Sequence, residues 1–161
     1  MTDPRFVAII VGSRSDLEIV QKAADLLGKL GIANELRVIS AHRAPELLER
    51  YVSDALARGV AVFICAAGLA AHLPGVVASK TTLPVIGLPM PGQVAGGLDA
   101  LLSIVQMPKG VPVATVGIGQ AENAALLAAQ MLGLSDGAVA RAVADHRAEA
   151  KRQIEEDATN Q

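Results

Sequence analysis

The first apolar run, Phe6-Val7-Ala8-Ile9-Ile10-Val11, is continuous rather than alternating. A half-buried strand alternates polar and apolar positions, so an unbroken run predicts a strand covered on both faces, as in a parallel sheet. The run stops at Gly12. Leu17, Val20, Ala24, Leu27 and Leu30 then recur at helical spacing, with Asp16 near the start and Gly31 at the end. The same rhythm returns along the chain. Leu36 to Ile39 reads as a second strand, Pro45 to Arg58 as a helix opened by proline, and Val60 to Cys65 as a third strand. Val85 to Leu88 gives a fourth strand and Ala100 to Val105 part of a helix. Val111 to Ile118 contains a fifth strand, and Ala121 to Leu132 is an Ala/Leu-rich helix. Beyond Gly137 a helix runs to about Glu156, apolar at first and charged later.

Because parallel neighbours need crossover connections, this alternation predicts an α/β fold. It is a doubly wound parallel sheet of flavodoxin-like or Rossmann-like type, with helices on both faces and a C-terminal helical arm. The length fits one domain over residues 1–161, with 137–161 as its terminal helix and tail. Pro89 to Gly97, rich in Pro and Gly, reads as a loop.

Composition sharpens this picture. Hydrophobic residues make up 52% of the chain and charged residues 19%, which excludes a disordered chain. With no Trp, one Tyr and two Phe, the core must be aliphatic. So much Ala, Val, Leu and Ile, with few charges to cover a small sphere, predicts apolar surface buried between copies in a homo-oligomer. Fourteen Lys and Arg against 16 Asp and Glu leave a net charge of −2, which argues against bulk nucleic-acid binding. The single Cys65 has no partner for an internal disulfide, and no Cys/His spacing suits zinc, so a reducing cytoplasm is the expected compartment. Met1 to Arg5 carries no basic-then-apolar targeting signal, and the apolar stretch from Val60 to Ala71 stops at His72, so no membrane association is expected.

In open α/β sheets ligands sit beyond the carboxyl ends of the strands, which directs attention to three loops. After the first strand, Gly12-Ser13-Arg14-Ser15-Asp16 offers a flexible residue, two hydroxyls and a helix start that suit an oxyanion. Ser and Asp are also common helix caps, and Asp16 suits a sugar hydroxyl better than a phosphate. After the second strand, Ser40-Ala41-His42-Arg43 concentrates a hydroxyl, an imidazole that moves protons near neutral pH, and a permanent cation that clamps phosphate or carboxylate. After the third, the nearly uncharged run from Cys65 to Gly75 lets backbone approach a flat ligand, with His72 its single polar side chain. Taken alone, His72 reads as a packed residue, Cys65 as a small core hydrophobe and His146 as a solvated side chain.

In order, these loops resemble the class I PurE family, the N5-carboxyaminoimidazole ribonucleotide mutases of purine (IMP) biosynthesis. Gly12-Ser13-Arg14-Ser15-Asp16 is similar to the family's GS-x-SD loop, Ser40 to Arg43 to its SAHR motif, and Ala70 to Gly75 to its AAHLPG loop. Leu98-Asp99, Ser103 to Pro108, Pro112 to Val116 and Asn123 to Gln130 continue the similarity over nearly the whole chain. The resemblance implies a cytoplasmic homo-octamer that binds a small-molecule ribonucleotide, needs no cofactor, and is coupled functionally to the ATP-dependent synthetase that makes its carboxyamino substrate. It implies an isomerase that moves a carboxyl group from N5 to C4 of an aminoimidazole, with carbon dioxide held in the site between the two steps. Carried onto this chain, His42 is the proton shuttle and His72 its catalytic companion. Ser13, Ser15, Asp16 and Arg43 bind the ribonucleotide, and Ser40 and Gly68 line, with His72, the ring and carboxylate site.

Two residues depart from the family's glycine-rich AGAGG stretch, where Ala66 and Leu69 replace glycines; Ala44 replaces the frequent Thr after SAHR. A Leu69 that needs positive φ would be strained. Two alternatives remain alongside the mutase: a direct carbon-dioxide-dependent aminoimidazole ribonucleotide carboxylase, and a non-catalytic nucleotide-binding module. Class II relatives typically carry Lys after the catalytic His, and Arg43 departs from that pattern.

Overall fold

A computed structural model describes residues 5–159. Residues 1–4, part of the segment read above as free of a targeting signal, lie outside the described residues, as do 160–161. Five parallel strands, β1 (Phe6–Val11), β2 (Asn34–Val38), β3 (Val60–Ala67), β4 (Val85–Pro89) and β5 (Ala114–Thr115), form one sheet in the order β2-β1-β3-β4-β5. This is the flavodoxin-like order, in which the winding reverses between β1 and β3. Among the described residues six α-helices connect and cover the sheet: α1 (Leu17–Lys29), α2 (Pro45–Ala57), α3 (Leu73–Ala78), α4 (Leu98–Val105), α5 (Ala121–Gly133) and α6 (Gly137–Thr159).

The continuous apolar runs have the predicted consequence. Alternate residues of each central strand enter two separate cores, one on each face of the sheet. Val7, Ile9 and Val11 of β1, with Val62 and Ile64 of β3, pack against Val20 and Leu27 of α1 and the alanines of α5. Phe6, Ala8 and Ile10, with Phe63 and Cys65, pack against Leu48 and Val52 of α2, Val77 of α3 and Ile104 of α4. Ala121, Ala124, Ala125, Ala128 and Ala129 are all buried, so α5 meets its neighbours through methyl groups. Cys65 is wholly buried, and burial pushes its thiol far above the usual cysteine range, in keeping with a core hydrophobe. His146 is exposed on the charged half of α6.

Both edges are polar or short. The half-buried carboxylate of Glu35 on β2 accepts from Arg58 Nη2 at 2.6 Å and from the Tyr51 hydroxyl at 2.6 Å, tying the edge strand to α2. At the other edge β5 has only two residues. On β4, Gly87 is required by close approach, since a Cβ there would overlap Ile104 of α4 and stand 2.9 Å from Val113.

The structure refines three expectations. Leu73 to Gly75, the end of the loop read after the third strand, instead open α3, which buries Leu73, Pro74, Val77 and Ala78. The fifth strand, expected within 111–118, is the two residues Ala114–Thr115. α4 begins at Leu98, two residues earlier than its apolar periodicity suggests. Among the described residues no helix is long and apolar enough to cross a membrane.

Candidate functional site

The carboxyl ends of β1, β2, β3 and β4 open onto one cavity of about 550 Å³. All eight residues singled out by sequence line it: Ser13, Ser15, Asp16, Ser40, His42, Arg43, Gly68 and His72. It lies beside the reversal between β1 and β3, where adjacent loops diverge to opposite faces of the sheet and leave a crevice.

The first wall follows β1. Gly12 N–H donates to Ala66 O at 3.2 Å, anchoring the loop to β3. Ser13 is the cap of the short helical turn Arg14–Asp16, its side chain accepting from Ser15 N at 3.3 Å. The Ser15 hydroxyl lies 2.9 Å from Ser13 Oγ and 3.2 Å from Asp16 Oδ1. The capping role open to Ser and Asp thus falls to Ser13; Asp16 makes no side-chain cap bond and faces the cavity. Its carboxylate is a ready acceptor for a hydroxyl.

The second wall follows β2. Ser40 Oγ accepts from Arg43 N at 3.2 Å and from Arg43 Nε at 3.3 Å, which sets the guanidinium's direction. Arg43 Nη2 then donates to Gly12 O at 2.8 Å, so one side chain ties the β1 and β2 loops together while its other donors remain for an anion. Pro45 opens α2 directly behind this loop, its missing N–H placed where a helix has no use for one.

The third wall follows β3. Ala71 N donates to Leu69 O at 2.9 Å and His72 N to Ala70 O at 2.7 Å, two successive tight turns that deliver His72 to the start of α3. His72 Nδ1 lies 2.7 Å from His42 Nε2, with the rings edge to face at 88°. A hydrogen bond between two ring nitrogens requires one of them to lack its proton, so the pair shares a single hydrogen at the contact. Leu69 stands at φ 56°, the left-handed conformation that its replacement of a glycine raised. For a residue with a Cβ this costs about 1–2 kcal/mol. Ala66, the other replacement, is a buried strand residue.

The fourth wall was not among the loops selected from the sequence. Met90, Pro91 and Gly92 after β4 also line the cavity, and Met90 N donates to Ala67 O at 3.0 Å. The same rule that pointed to the ends of the first three strands would have found it, because Val85 to Leu88 was read as a strand of the same sheet. No group of three or more His, Cys, Asp or Glu suited to a metal occurs among the described residues. The arrangement can hold an anion and a hydroxyl at one end and move a proton at the other, between largely apolar walls.

Comparison with known proteins gives a consistent result. The family model described as AIR carboxylase matches residues 6–153. An N5-carboxyaminoimidazole ribonucleotide mutase of Saccharolobus solfataricus is 58% identical over 128 residues, covering 80% of this chain and 81% of that protein. A protein of the same name from Methanocaldococcus jannaschii is 53% identical over 148 residues, 92% of each chain. Among solved structures, Treponema denticola PurE superposes with a TM-score of 0.89 at 30% identity, covering 97% of this chain and 98% of that one.

Proposed function

The chain belongs to the AIR carboxylase family, and on that premise we propose that it is an N5-carboxyaminoimidazole ribonucleotide mutase, an isomerase of purine biosynthesis. The observation that carries this reading is the convergence, in one cavity, of a hydroxyl-rich helix start, a clamped arginine and a hydrogen-bonded histidine pair.

Ser13, Ser15 and the free donors of Arg43 take the phosphate of the ribonucleotide, and Asp16 accepts from a sugar hydroxyl, so that the charged end is fixed. Ser40, Gly68 and His72 border the ring and its carboxylate. The N5–carboxyl bond breaks, carbon dioxide leaves, and N5 takes a proton from His42. C4 of the ring then attacks the carbon dioxide, a carbon–carbon bond forms, and the C4 proton returns to His42. One proton is lent and recovered, which suits a residue that gains and loses protons readily. His72, hydrogen-bonded to His42, orients the imidazole. Carbon dioxide has no charge to hold it, so apolar walls such as Ala67, Ala70 and Ala71 keep water away without offering a competing nucleophile.

The protein works as a homo-octamer in the cytoplasm, next in sequence to the ATP-dependent synthetase that makes its carboxyamino substrate. Support for assembly comes from α4, which is apolar on two faces: Ala100 and Ile104 are buried against the sheet, while Leu98, Leu102 and Val105 remain 43, 47 and 48% exposed. A helix with a second apolar stripe needs a second partner. Light scattering at micromolar concentration should give the octamer mass, and a stable monomer would refute the assembly.

The activity itself is tested by mixing purified protein with the carboxyamino ribonucleotide and following the absorbance of the C4-carboxylated product. Conversion without added bicarbonate is the expected result. Product formed only from aminoimidazole ribonucleotide plus bicarbonate would establish the direct carboxylase instead, and ligand binding with no turnover of either substrate a non-catalytic module.

A further inference from the structure

Leu69 combines three properties that do not ordinarily occur together. It is a large apolar side chain left 68% exposed, it is held at a left-handed φ of 56°, and it lines the cavity from the loop after β3. An exposed leucine gains no core packing to offset its backbone strain. Strain of that kind persists where the bound state uses it. A Cβ on Gly68 beside it would fall 3.6 Å from Met90 Cβ, ordinary contact distance, so the β3 and β4 loops adjoin at this point, and Leu69 stands exposed next to that contact.

We propose that Leu69 is the sealing side chain of the substrate pocket, closing over the bound ring and retaining carbon dioxide between the two chemical steps. The inference rests on the mutase reading and deepens it. Its neighbours on the β3 loop, Ala67, Gly68, Ala70 and Ala71, are too short to cover a ring from the rim, whereas a leucine reaches several ångströms further and is apolar throughout. Burial of Leu69 against the ligand would also recover the solvent exposure that the free protein tolerates. Leu69 takes no part in proton transfer; its effect is on the fate of the carbon dioxide.

The experiment uses carboxyamino ribonucleotide carrying carbon-13 in its N5 carboxylate, turned over in unlabelled bicarbonate, with the label in the C4-carboxylated product read by mass spectrometry. Wild-type protein should retain most of the label. Leu69→Ala, which keeps the backbone constraint but shortens the side chain, and Leu69→Gly, which also relaxes φ, should each lose label severalfold more often and raise KM. Leu69→Met, apolar and of similar reach, should restore retention. Since Leu69 lies outside both cores, all three variants should keep the wild-type circular dichroism. Equal label retention in wild type, Leu69→Ala and Leu69→Gly would overturn the sealing role while leaving the mutase reading intact. Wild-type protein that forms no product overturns the mutase reading, and the sealing role with it.

Discussion

His42 Nε2 and His72 Nδ1 lie 2.7 Å apart, joining the loop after β2 to the loop after β3 across 30 residues of sequence. The contact makes two imidazoles into one proton-holding unit. His42→Asn preserves shape and some hydrogen bonding but cannot shuttle a proton, so turnover should fall roughly 10²–10⁴-fold while ribonucleotide affinity changes little. Absorbance kinetics and calorimetry on the same preparation separate the two effects. Near-normal turnover in a folded variant would shift the shuttle to His72.

Arg43 should behave in the opposite way. Its Nε and Nη2 donate to Ser40 and Gly12, Nη1 has no hydrogen-bond partner among the described residues, and the side chain lines the cavity. Arg43→Ala should weaken ribonucleotide binding by about 1.5–3 kcal/mol, the worth of charge-assisted hydrogen bonds, before it affects the chemical step. Lysine should recover only part of this, because a point charge cannot span Ser40, Gly12 and an anion together. Calorimetric titration of wild type, Arg43→Ala and Arg43→Lys decides; unchanged affinity in the alanine variant would remove Arg43 from the binding site.

A third expectation concerns the packing that shapes the β4 wall. Adding a methyl at Gly87 forces Ile104 and Val113 aside, and overpacking of this kind costs about 1–3 kcal/mol. At about 2–4 °C per kcal/mol for a domain of this size, Gly87→Ala should lower the melting temperature by several degrees in calorimetry. An unchanged Tm would mean that α4 shifts freely on the sheet.

A fourth links stability to pH through Glu35. The hydrogen bond from Arg58 holds its carboxyl below the usual range, burial opposes this, and the Tyr51 hydroxyl and the charges of Arg58 and Arg37 add to the lowering. A carboxyl whose folded pKa is depressed stabilises the fold fully above its unfolded value, about 4.3, and loses that contribution as pH falls through the lower folded value. Glu35→Gln should therefore melt a few degrees below wild type at pH 7, and the gap should close towards pH 3. A gap that stays constant with pH would show that the carboxylate's charge is not what ties β2 to α2.

Much of the fold was legible because its signals are local. The unbroken apolar run of β1 announced a strand covered on both sides, and the periodicity of α1, the proline start of α2 and the Ala/Leu richness of α5 matched the helices found. α3 was illegible for an equally physical reason. Pro74, Gly75, Val76 and Val77 are poor helix formers, and the six-residue helix exists because four of its residues are buried beside β3 and β4.

The site divides in the same way. The sequence by itself determined which residue types stand at the ends of the strands, including the hydroxyls after β1 and the His-Arg pair after β2, since a motif is a property of contiguous residues. The resemblance to the family added that Leu69 stands where a glycine is usual, and hence that strain was at issue. Only the tertiary structure decided that His72, unremarkable as a lone histidine, meets His42, that Arg43 reaches Gly12, and that Met90 to Gly92 form a fourth wall. Those relationships depend on strand order and on the alternation that sends neighbouring side chains to opposite faces. Both are settled by the pairing of distant strands and the packing of helices upon them, which no local stretch of sequence contains.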